Sequence, residues 1–204
     1  MVRRYSTYFV GRLQRLHISY KRWQSLYEDL SRELRAAGVE VSRSKGLEPP
    51  AVEVESYGAD GWCVWLLDDL GEEIYASAEF AALLATLRHR RVQALLLLHR
   101  AFSGTPTGRA VTANLGLLVF TGSRRQLGDV RSMAAQLGFG ASLQAAFLRV
   151  CKERDRLSHL LVDLQPHCPD DIRLRAYRFS SDAVICFAHS SFVPQGSLFD
   201  AHDM

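Results

Sequence analysis

The sequence predicts an α+β fold: a long N-terminal heptad-patterned helix, an antiparallel sheet built from two hairpins, and a helical layer. Three observations predict it. Apolar residues step by four and three through residues 9–34, two pairs of short apolar runs are each joined by turn residues, and Ala/Leu-rich helical stretches lie between them. The 204 residues are 48% hydrophobic and 23% charged, which excludes a disordered chain.

Phe9, Leu13, Leu16, Tyr20, Trp23, Tyr27, Leu30 and Leu34 form the expected helical seam, closed by Gly38 as C-cap. Aromatic residues at such positions suit packing against the body of the protein or an antiparallel partner, so Tyr20, Trp23 and Tyr27 are expected to be buried at the seam. Residues 42–50, Ser-Arg-Ser-Lys-Gly-Leu-Glu-Pro-Pro, have the composition of a linker. Val52–Ser56 and Trp62–Leu67 flank Gly58-Ala59-Asp60-Gly61 and make the first expected hairpin. The acids Asp68, Asp69, Glu72 and Glu73 then read as a solvated turn without metal-ligand spacing.

Ser77 is placed to cap a helix from Ala78 to about Phe102, and residues 103–108 break it. Leu115–Phe120 reads as a buried strand. Two helices follow, over about 124–137 and 142–164, joined around Gly138-Phe139-Gly140. Ile172–Ala176 and Ala183–Ala188, with Ser180-Ser181-Asp182 between them, form the second hairpin. The expected organisation is therefore a helix over 1–41, a linker over 42–50, an α+β body over 51–192 and a flexible tail over 193–204.

Charge is distributed in blocks. Residues 1–45 carry ten bases and four acids (+6), residues 46–80 nine acids and no base (−9). Residues 81–160 carry twelve bases and three acids (+9), and residues 161–204 three bases and six acids (−3). A basic block of this kind can track a phosphate backbone, because each neutralised phosphate releases counterions. Within it, Arg124, Arg125, Arg131, Arg149, Lys152, Arg154 and Arg156 surround a loose helix-turn-helix pattern over Val130–Arg149 and are the candidate nucleic-acid contacts. An αα-hairpin with no role in DNA readout satisfies the same pattern.

Catalytic chemistry is poorly represented. His167-Cys168-Pro169-Asp170-Asp171 sets a thiol beside imidazole and carboxylates, but neighbours in sequence do not make a triad. The seven histidines and four cysteines show no zinc spacing, so no catalytic residue, metal or cofactor is assigned. Thr121-Gly122-Ser123-Arg124, between a strand and a helix, can hold a phosphate on helix amides, and this makes a small phosphate-ligand-binding enzyme the alternative reading. An assembly protein using the heptad helix is a third. Neither an apolar signal core nor a bilayer-length apolar run is present, and the cysteines are scattered, from which a cytoplasmic, non-membrane protein with reduced thiols is expected.

One short segment says more. Gln195-Gly196-Ser197-Leu198-Phe199 stands between Pro194 and the C-terminus. It resembles the peptide by which bacterial replication and repair proteins dock on the DNA polymerase sliding clamp: Gln, any residue, Ser or Asp, Leu, Phe. The resemblance covers five residues, and Gly196 departs from the apolar residue common there. It implies Gln195, Ser197, Leu198 and Phe199 as partner-binding residues and the sliding clamp as partner. The expected function is that of a non-enzymatic, DNA-associated protein of a bacterium, phage or mobile genetic element.

Overall fold

The computed structural model describes residues 12–51, 61–100, 103–121, 123–152, 158–169, 173–177 and 184–187. The chain divides into two units, Met1–Asn114 and Leu115–Met204. This boundary falls inside the stretch expected as one body over 51–192.

In the first unit the run Gly61–Asp68 is apolar on both sides, the pattern of a strand covered on both faces. This strand (β3) pairs in parallel with Arg12–Tyr20 (β1) on one side and Val92–Leu97 (β4) on the other. Glu40–Lys45 (β2) pairs in parallel with β1, giving the order β2-β1-β3-β4. Helix α1 (Leu26–Ala36) covers one face, its Tyr27 and Leu34 packing with Leu16, Ile18, Val41, Val64 and Leu66. Helices α2 (Gly71–Ala76), α3 (Ala78–Leu87) and α4 (Pro106–Ala113) cover the other, closing over Cys63, Trp65, Leu67 and Val92.

The expected heptad helix is therefore corrected. Residues 12–20 form the second strand of a parallel sheet, and only the Tyr27, Leu30 and Leu34 steps belong to a helix. Leu16, Ile18 and Tyr20 alternate with His17 and Ser19, so a period of two was embedded in the four-and-three stepping. Burial of Leu16 and Ile18 at 0% exposure against α1 and β3 selects it. Phe9 lies outside the described residues. The aromatics divide accordingly: Tyr27 is buried, while Trp23 is 45% exposed in the β1–α1 loop. Gly38 does end the helix, at φ +79°. The amides of Gly38 and Val39 donate to the carbonyls of Arg35 and Leu34, a Schellman closure in which Val39 and Leu34 join one apolar cluster.

Other differences share a cause. Ser42–Lys45, expected in a linker, lies in β2. Of the first expected hairpin, Trp62–Leu67 belongs to β3, which has parallel neighbours on both sides, and residues 52–60 lie outside the described residues. Ser77 does cap α3, its Oγ accepting from the Phe80 amide at 3.0 Å. The helix ends at Leu87 and the Leu-rich run continues as β4, since Arg91 turns the chain at φ +53° and a parallel partner is waiting in β3. Helix α4 begins where a break was expected; Thr105 accepts from the Gly108 amide and Pro106 takes the first turn.

The second unit is an antiparallel sheet, Leu117–Thr121 (β5), His159–Asp163 (β6), Leu174–Tyr177 (β7) and Val184–Phe187 (β8), in that order. The β7–β8 pairing agrees with the second expected hairpin. Helices α5 (Leu127–Gln136) and α6 (Gly140–Val150) pack through Val130, Met133, Ala134, Leu143 and Phe147, and Phe147 meets Phe120 edge-on at 6.0 Å. The helix expected to reach residue 164 stops at Val150, because Leu160, Leu161 and Val162 are taken into the sheet as its second strand.

A polar chain crosses the first sheet. The Trp65 indole donates to Ser19 Oγ at 2.8 Å, and Ser19 donates to the Glu48 carbonyl at 3.0 Å. Ser44 lies 3.0 Å from Ser19 and 3.0 Å from His17 Nε2, and Ser42 lies 2.8 Å from His17 Nδ1. Since Ser19 has spent its one proton on Glu48, Ser44 donates to Ser19 and accepts from His17. The histidine is then the neutral Nε2–H tautomer, with Ser42 donating to Nδ1.

Two predictions follow from the burial. Trp65→Ala should lower unfolding free energy by about 3–5 kcal/mol, as for a buried aromatic truncated to Ala, whereas half-exposed Trp23→Ala should cost less, about 1–2 kcal/mol; urea denaturation measures both. Burial pulls the His17 pKa below its ordinary value, with the Glu48 carbonyl and charge opposing and Arg15 assisting. The unfolded chain therefore binds the proton first as pH falls, so stability present at about pH 7.5 is lost as pH drops through the ordinary histidine range. Urea titrations should show a smaller loss between about pH 7.5 and pH 5.5 in His17→Asn than in the native chain.

Candidate functional site

All four strands of the first sheet point the same way and finish in one row. Tyr20 pairs with Lys45 and with Asp68, and Asp68 with Leu97, so the carboxyl ends of β2, β1, β3 and β4 share an edge. The chain leaves β1 toward β2 on one side, and β3 returns on the other. In open parallel sheets such a reversal leaves a crevice beyond the strand ends, where ligands commonly bind.

The side chains at this edge are polar and interlocked. Asp68 accepts from Tyr27 Oη in a short hydrogen bond and from Gln24 Nε2 at 2.9 Å. Burial, then the Asp68 carboxylate, pushes the Tyr27 phenol well above its ordinary pKa and keeps it a donor. Lys21 Nζ reaches Glu72 at 2.9 Å and Glu73 at 3.5 Å, and its pKa is raised by them. Asp69, at φ +57°, lies 3.3 Å from His99 Nε2. The acids expected as a solvated turn are thus tied to β1, the β1–α1 loop and the end of β4. The sequence signal was weak: the partners are up to 51 positions apart. The β1–α1 loop, Lys21–Ser25, contains no glycine, and α1 opens with Glu28 and Asp29, so it offers no cradle for a bare phosphate. Among the described residues no three His, Cys, Asp or Glu side chains converge to hold a metal ion.

The expected nucleic-acid residues are partly brought together. Arg124 and Arg125 sit in a single 3-10 turn, Arg131 on α5, and all three are exposed. Burial raises the Cys151 thiol pKa, the Arg124 charge opposes it, and Lys152 next in the chain is exposed. Arg149 is half-buried, and Arg154 and Arg156 lie outside the described residues. The basic block itself is divided, with Arg88, Arg90, Arg91, Arg100 and Arg109 in the first unit.

The helix-turn-helix pattern corresponds to α5 and α6, joined by Leu137–Phe139 with Gly138 at φ +71°. The exposed positions of α6 and its end are Gly140, Ala141, Ala145, Leu148 and Lys152, and Ser142, Gln144 and Arg149 are half-buried. That profile favours the αα-hairpin lying on a sheet over a helix that reads bases. The 121–124 turn, expected to hold the alternative phosphate ligand, does not open directly onto an α-helix among the described residues. The 3-10 turn Arg124–Gln126 separates it from α5, Ser123 makes no capping hydrogen bond, and Gly122 lies outside the described residues. Burial raises the Cys168 thiol pKa, and Sγ donates to the Pro169 carbonyl at 3.6 Å, so it is not an activated nucleophile. Gln195, Ser197, Leu198 and Phe199 lie outside the described residues.

If the exposed arginines contact DNA, replacing Arg124, Arg125 and Arg131 with Ala should reduce the salt slope of duplex binding by up to about 3, near 0.9 per lost phosphate contact. Filter binding across a salt series measures it, and an unchanged slope counts against these residues. No protein-family model matches the sequence, and no curated protein or solved structure is significantly similar to it.

Proposed function

We propose that this chain is a DNA-associated protein of a bacterium, phage or mobile element that docks on the replication sliding clamp through Gln195–Phe199. The observation that carries the proposal is the pentapeptide Gln195-Gly196-Ser197-Leu198-Phe199. Leu198 and Phe199 would enter an apolar pocket, contributing about 1.5–3 kcal/mol each, while the Gln195 amide sets register by hydrogen bonding. Exposed Arg124, Arg125, Arg131 and Lys152 supply positive charge for a phosphate backbone.

Calorimetry with purified clamp should give a modest affinity for the full chain, about micromolar, because a short peptide pays an ordering cost. Replacing Leu198 and Phe199 with Ala should weaken binding at least about a hundredfold with little change in unfolding free energy. A large stability loss, or no binding by the native chain, would overturn the proposal.

A second reading is favoured by the position of Asp68 and Asp69 at the carboxyl end of β3, beside the point where the strand order reverses. There the parallel-sheet unit would hold a phosphorylated small molecule through Mg2+, since carboxylates repel a bare phosphate. Mg2+ needs only one or two carboxylates besides water and the ligand's own oxygens. This moves the ligand-binding alternative from the 121–124 turn to the first unit. Its test is thermal stabilisation by a nucleoside triphosphate that requires Mg2+ and is lost in Asp68→Asn.

A further inference from the structure

Trp23 is the largest exposed apolar side chain of the described residues, 45% accessible, and Leu26 beside it is 57% accessible. The indole is held in place. Tyr20 and Tyr27 each meet it edge-on with ring centroids 5.3 Å away, and the Arg43 guanidinium lies 4.9 Å over its ring. Tyr20 and Tyr27 are themselves 5.7 Å apart, so the three rings form a braced cluster at the ends of β1 and β2. Arg43 is anchored in turn by Glu28 at 3.0 Å.

Exposed cations neighbour this cluster, Lys45 at the end of β2 and Arg22 next to Trp23 in the chain. Lys45 pairs in register with Tyr20, two residues before Arg22, and both cations are exposed. Neither has an ion-pair partner among the described residues, unlike Lys21 and Arg43, which are held by acids. Asp68, which accepts from Tyr27, lies with Glu72 and Glu73 on the β3 side, and Glu28 is held by Arg43, so a polyanion is directed to the exposed Arg22 and Lys45.

We propose that Trp23, with Arg22 and Lys45, is a binding site for single-stranded nucleic acid in which an unpaired base stacks on the indole and the backbone follows the two cations. A rigid exposed indole suits a base because every base has a π-face and little ordering is needed on the protein side. A duplex keeps its bases stacked inside and offers none to a protruding ring. The site shares with the proposed function only the class of its ligand. It lies in the first unit and requires neither the clamp peptide nor Arg124, Arg125 and Arg131.

The test is fluorescence anisotropy of the full chain with labelled oligothymidine of about twelve nucleotides at low salt, compared with an abasic oligomer of equal length. Trp23→Ala should weaken binding about 5- to 100-fold, Trp23→Phe should retain most of it, and the abasic oligomer should bind the native chain no better than Trp23→Ala binds thymidine. Arg22→Ala with Lys45→Ala should lower the salt slope by about 1.4, near 0.7 per phosphate. The Arg124, Arg125 and Arg131 triple variant should leave the ratio of native to Trp23→Ala affinity unchanged. Equal binding by native and Trp23→Ala chains, equal binding of abasic and thymidine oligomers, or no binding at all would overturn the site; the last result would point to a protein partner. Photo-crosslinking of the native chain, mapped by mass spectrometry, should place the adduct on Trp23.

Discussion

The architecture of the first unit rests on burying β3 between two parallel neighbours and two layers of helix. Cys63, Trp65 and Leu67 face α2–α4 while Val64 and Leu66 face α1, so one strand supplies the centre of both cores. Trp65 is the largest of these side chains and cannot be buried without a partner for its indole N–H. Ser19 provides it, and the hydroxyls of Ser44 and Ser42 extend the chain to His17. The polar chain thus links β3, β1 and β2, placing on one face of the sheet a directional register that apolar packing alone would not impose.

That register determines what stands at the carboxyl edge of the sheet. Because β1 and β3 are in parallel alignment, Lys21 and Asp68 emerge together, and the Lys21 amide donates to the Asp68 carbonyl at 3.2 Å. The edge is then electrostatically divided. Carboxylates and the lysine they hold lie toward β3, the aromatic cluster adjoins them through the Tyr27–Asp68 hydrogen bond, and exposed Lys45 stands at the end of β2. The strong alternation of charge along the sequence becomes a lateral separation across a few strand spacings. A protein with such an edge can discriminate ligands by charge on either side of β1.

In the second unit the bases are used differently. Arg173 donates to the carbonyls of Asp163, Gln165 and Cys168, and Arg175 meets Asp163 at 2.5 Å, so these two arginines secure the β6–β7 end of the sheet. Arg124, Arg125 and Arg131 stay on the surface of the helical layer. Net charge counted along the chain did not separate these roles; it counts an arginine that satisfies buried carbonyls the same as one that faces solvent.

Local chemistry was legible in the sequence wherever one element could satisfy itself. Ser77 as a cap, Gly38 as a terminator, the Gly138 turn, the buried strand through Trp62–Leu67, α5 and the β7–β8 pairing all depend on residues a few positions apart. Tertiary structure alone decided that residues 12–20 and 92–97 are strands. Both carry spacings or Leu-rich compositions that suit a helix, and both were claimed by parallel pairing with β3 across tens of residues. It also decided that Trp23 faces outward and that the acids at 68–73 engage Lys21 and Tyr27. Parallel strands cannot be joined by a tight turn, so their partners leave no mark in the intervening sequence, and the edge they build exists only once the sheet is assembled.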